Sequence, residues 1–74
     1  MGRLRVMSGR ELCRLLSLHG FQAVRQRGSH LVMQKICDDS TITLPVPLHD
    51  TVRIGTLQAI IRQSGLPRSL FEEN

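Results

Sequence analysis

Between two strand-forming runs, residues 21–27 and 30–36, the chain leaves only Gly28 and Ser29 to reverse its direction. Two-residue hairpin loops are tight, and glycine at the first central position suits a type II′ turn. A turn this short sets the register. It places Arg27 opposite His30, Arg25 opposite Val32 and Val24 opposite Met33. A polar connection, Cys37-Asp38-Asp39-Ser40, leads to a third run at residues 41–46, where Ile42, Leu44 and Val46 alternate strictly. With Ile36 and Thr41 closing that hairpin, Met33 faces Leu44, Leu31 faces Val46 and His30 faces Pro47. Pro45 and Pro47 cannot donate to a ladder, which puts the third strand at a sheet edge.

Side chains alternate across a strand. Val24, Leu31, Met33, Ile42, Leu44 and Val46 therefore share one apolar face, expected to meet the helices. Arg25, Arg27, His30, Val32, Gln34, Thr41 and Thr43 share the other, expected to face water. A core histidine would have fallen in the first set.

Ser8-Gly9-Arg10-Glu11 reads as a capping box, and Leu12, Leu15 and Leu16 continue at helical spacing. Gly20 is a natural stop, so a first helix is expected over residues 9–19. Ile54, Leu57, Ile60 and Ile61 mark a second helix, which Gly65 ends. Residues 69–73 can add one short turn. Residues 1–7 show no element and are expected as a flexible extension of a single domain spanning residues 1–74. The expected fold class is α+β: an α-β-β-β-α order, with both helices on one face of a three-stranded antiparallel sheet.

At 74 residues the chain holds one core, and a core this small is marginal. Ten Lys and Arg against six acids give a net charge of +4, and nine of the ten bases are arginine. That balance favours polyanions. Phe21 and Phe71 are the only aromatic residues, which argues against reading RNA by base stacking on an aromatic platform. Two cysteines, Cys13 and Cys37, make no disulfide framework and fit a reducing cytoplasm. No run is long enough to cross a bilayer. Cys13, His19, Cys37 and His49 lack metal-ligand spacing, so neither a metal nor another cofactor is expected.

The chemistry concentrates at His30. Imidazole moves protons near neutral pH, and the guanidiniums of Arg25 and Arg27 on the same face can hold phosphate. His49 follows the third strand at the end beside His30, where it can serve as the complementary acid or base, as a phosphate contact, or only as a loop residue. Arg53 precedes the second helix as a further candidate RNA contact. Ser29 either orients His30 or is chosen for the turn. Read by spacing alone, His30 is a proton-transfer residue on RNA or a surface histidine at a turn.

The order Ser8-x-x-Glu11-Leu12, Gly20-Phe21, Arg25-x-x-Gly28-Ser29-His30, Thr43-x-Pro45-x-Pro47-x-His49 and Ile54-Gly55-Thr56-Leu57-x-x-Ile60-Ile61-x-Gln63-x-Gly65-Leu66 resembles the HicA toxin family, over about residues 8–66. These are small RNA-cleaving toxins of type II toxin–antitoxin pairs. The resemblance implies a double-stranded-RNA-binding-domain-like fold and mRNA interferase activity without an evident metal cluster. It also implies a catalytic role for His30, and a HicB antitoxin as protein partner beside the mRNA substrate. A non-catalytic module binding double-stranded RNA is the competing function. Such a module has no need of a histidine at the Gly-Ser turn. It usually carries a lysine-rich start to its second helix, where this chain has only Arg53.

Overall fold

Ser8 starts the first helix through the reciprocal bonds its spacing to Glu11 predicts. In the computed structural model, which describes residues 2–73, the Ser8 amide donates to Glu11 Oε1 at 2.8 Å and the Glu11 amide donates to Ser8 Oγ at 3.1 Å. Helix α1 runs Gly9–Leu18 and buries Leu12, Cys13 and Leu16. His19 caps it, and Gly20 turns the chain with φ +95°.

Three strands follow: β1 (Gln22–Arg27), β2 (His30–Ile36) and β3 (Thr41–Pro47), then helix α2 (Ile54–Ser64) and a short 3-10 turn, Arg68–Phe71. The sheet is antiparallel in the order β1-β2-β3, so β3 is an edge as its prolines require. Gly28 has φ +58° and Ser29 does not have positive φ, which fits the II′ turn and excludes I′. The pairs Arg27–His30, Arg25–Val32, Met33–Leu44, Leu31–Val46, His30–Pro47 and Ile36–Thr41 all form.

Val24 departs from the expected pattern. Ala23, not Val24, lies opposite Met33, because the register shifts between Ala23 and Arg25. Val24 is the extra residue of a β-bulge and is 47% exposed. Every residue of β1 is exposed. The anchor at this edge is instead Phe21, one residue before the strand and fully buried.

Both helices lie against the face bearing Met33, Leu44 and Val46: α1 touches all three strands and α2 touches β3. Leu57, Ile60 and Ile61 of α2 complete that layer, and Gly65 ends the helix at φ +73°.

Residues 2–7, expected as a loose extension, instead pack against the body. Leu4 and Met7 are buried. The Arg5 amide donates to the Phe71 carbonyl at 2.8 Å, and the Glu73 amide donates to the Arg3 carbonyl at 2.7 Å. Met7 and Phe71 are apolar enough to reward burial, and the bridge between Leu4 and Glu72 holds the two flanks together. Met1, the first residue of that expected extension, lies outside the described residues.

Candidate nucleic-acid interface and active site

His30 is the first residue of the central strand, so it has a neighbour on each side: Arg27 on β1 and Pro47 on β3. Its side chain is exposed and lies on the face away from the helices. Paired positions on adjacent strands point to the same face, and the register therefore brings Arg25, Arg27, His30, Val32, Thr43 and Pro45 together. They line a shallow depression of about 360 Å³. Val32 forms its apolar floor. It is 6% exposed although it lies outside the main core, because it sits between Arg25 and Pro45 on its two neighbouring strands.

A second depression, of about 440 Å³, adjoins the first. His30, Pro45, Pro47, His49, Arg53 and Thr56 line it, so His30 and Pro45 belong to both. Its geometry comes from the loop after β3. The ladder continues one bond past the strand, with the Leu48 amide donating to the Ser29 carbonyl at 2.6 Å. The Gly9 amide donates to the His49 carbonyl at 2.9 Å, and the Val52 amide to the Met7 carbonyl at 2.8 Å. The start of α1 and the N-terminal segment thus hold this loop in place.

Neither depression is lined by an Asp or Glu, whereas three arginines and two histidines border them. Helix α2 opens onto the second with Arg53 at its N-cap, no side-chain cap bond and no acid in its first turn. Helix α1 has both the capping box and Glu11. The free N–H groups and positive end of α2 therefore add to the cationic character of the site. This surface suits an anion, with an imidazole where the two depressions meet.

The structure brings Arg25, Arg27, His30, His49 and Arg53 to one end of the sheet. Ser29 takes part through its carbonyl, which fixes Leu48, and its side chain lines neither depression. Sequence reasoning left Val32, Thr43, Pro45 and Pro47 out of the site. The parity that selected His30 contains the signal for the strand residues among them, since each lies on its face at an even step or across a ladder. Thr56, in a Gly55-Thr56 pair whose sequence reads equally as a phosphate contact or as a plain helix start, lines the second depression. Among the described residues, no three of His, Cys, Asp and Glu are grouped to hold a metal ion, and no helix is long and apolar enough to cross a membrane.

A family model described as HicA toxin of bacterial toxin–antitoxin matches residues 9–66. Comparison with curated proteins and with solved structures gives no significant match.

Proposed function

The chain belongs to the HicA toxin family, and from that premise we propose that it is an endoribonuclease that cleaves mRNA and arrests translation, with His30 transferring the proton at the scissile phosphodiester. The observation that carries this reading is an exposed imidazole between two acid-free depressions bordered by arginine.

The reaction needs no metal in this reading. The ribose 2′-OH loses its proton to His30 and its oxygen attacks the adjacent phosphorus. The bond to the 5′-oxygen breaks, and that oxygen gains a proton. Positioned proton transfer contributes about 10²–10⁴-fold. Arg25 and Arg27 offset the charge that builds on the non-bridging oxygens. Dependence on the 2′-OH makes RNA the substrate and DNA inert. A HicB-like antitoxin is the protein partner in this reading, neutralising the toxin by binding it.

RNA incubated in excess EDTA with the wild-type protein and with His30→Ala tests the reading. Wild-type protein is expected to yield products ending in a 2′,3′-cyclic phosphate. His30→Ala is expected to lose cleavage and growth arrest while keeping its circular-dichroism spectrum and melting temperature. Retained toxicity in that variant removes His30 from the chemistry. Tight RNA binding by the wild type without products marks the protein as a binding module.

A further inference from the structure

We propose that His49 is the general acid that protonates the departing 5′-oxygen while His30 takes the 2′-OH proton, an assignment that rests on the ribonuclease reading above. In transesterification the attacking and leaving oxygens lie on opposite sides of phosphorus. One imidazole cannot reach both in the same step, so the departing oxygen takes its proton from water or, faster, from a second group bordering the site.

His30 and His49 line the same depression. Pro47 lies directly opposite His30, and His49 is two residues further on. The Leu48–Ser29 bond keeps the ladder running between them, so His49 has the same parity as Pro47. A diagonal neighbour of this kind lies about 7–8 Å away, a span across which two imidazoles can flank one phosphate. The charged and titratable groups around His49 are His30 on β2, Arg53 at the start of α2 and Asp50 on its own loop, with Arg25 and Arg27 beyond His30 on β1. Among the residues lining the depression, the Arg53 guanidinium is suited to gripping phosphate and not to passing protons, and Thr56 has an alcohol that does not ionise near neutrality. His49 is the remaining group able to give a proton and take it back.

Chain polarity follows from which depression each histidine borders. His30 borders both, whereas His49 borders only the one at the start of α2. The nucleotide supplying the 2′-OH sits on the sheet face over Val32 and Thr43. The departing nucleoside leaves over Arg53 and Thr56. The 2′-oxygen–phosphorus bond forms as the phosphorus–5′-oxygen bond breaks. The proton lost to His30 is balanced by the one His49 donates, and no oxidant, reductant or other co-reactant is required.

A substrate with sulfur in place of the bridging 5′-oxygen tests this, because a thiolate leaves without a proton; thiol pKa values lie near about 8.5. On ordinary RNA, His49→Ala and His49→Gln are expected to cleave roughly 10²–10⁴-fold more slowly than wild type. On the 5′-sulfur linkage both are expected to come within about tenfold of wild type, the lost acid no longer being needed. His30→Ala is expected to remain slow on both. The kcat/KM profile of His49→Ala should lose its alkaline limb and keep its acid limb. An equal defect on both linkages, no defect on ordinary RNA, or rescue of His30→Ala instead of His49→Ala each overturns the assignment. Wild-type protein inert towards both substrates removes the ribonuclease reading itself, and this assignment with it.

Discussion

Gly9 has no room for a methyl group: a Cβ there would stand 2.0 Å from the Pro47 carbonyl oxygen and 2.8 Å from Leu48 Cα. Both contacts are backbone, which cannot rotate away as a flexible side chain can. The first residue of α1 therefore rests directly on the end of β3, and its amide holds the carbonyl of His49. Overpacking usually costs about 1–3 kcal/mol, and Gly9→Ala is expected at or above the top of that range in urea denaturation. RNA cleavage should fall further than the loss of folded protein explains, because the displaced backbone carries His49. Gly55 is a control, since a Cβ there meets nothing within 4 Å. Gly55→Ala is expected to raise stability by up to about 1 kcal/mol.

The two helices differ in how they begin, and the difference coincides with the site. Ser8 and Glu11 satisfy the start of α1, and Glu11 is held below the ordinary glutamate pKa, chiefly by its hydrogen bond from the Ser8 backbone amide. A lowered folded-state pKa makes the stabilisation complete above the unfolded value and lost as pH falls through the folded one. Glu11→Gln should therefore flatten the acid limb of a plot of melting temperature against pH and leave the neutral region less changed. Helix α2 has Arg53 where a capping oxygen would serve it better. Arg53→Asp is expected to stabilise the fold by about 1 kcal/mol, by supplying an acceptor and a favourable charge at that terminus. The same change should weaken RNA binding, so a melt and a binding titration ought to move in opposite directions. These starts were legible in the sequence because capping and register are local. Ser8-x-x-Glu11, Gly28-Ser29 and the alternation of Ile42, Leu44 and Val46 each specify their own neighbours. The β1 bulge was not legible, since nothing about Val24 itself asks for exposure; its position follows from how β1 meets β2 and α1. Packing of residues 2–7 was illegible for a related reason. Its partner is Phe71, sixty-four residues beyond Met7 (71 minus 7), and no local pattern joins the two.

Charge is distributed along the strand axis. At the His30 end of the sheet stand Arg25, Arg27, Arg53 and both histidines of the depressions. At the far end, past Ile36, the β2–β3 connection carries Asp38 and Asp39. Six residue steps from His30 to Ile36 span roughly 20 Å at about 3.3 Å each. That exceeds the Debye length of about 8 Å at physiological ionic strength, so the two acids do not cancel the cationic end. Three arginines against Asp50 leave this end cationic, and a polyanion is attracted to it. Each phosphate neutralised on a single strand releases counterions and adds about −0.7 to the slope of log K against log salt. Phosphate contacts from Arg25, Arg27 and Arg53, if all three form, would together give a slope of about −2. With His30→Ala, expected to bind without turnover, the slope is expected near that value, and each further Arg→Ala at these positions should reduce it by about 0.7. Replacing Asp38 and Asp39 with asparagine should leave the slope unchanged. A slope unaffected by the three arginine changes would place the RNA path elsewhere on the surface. An increase on removing the two acids would mean that the nucleic acid runs the length of the sheet.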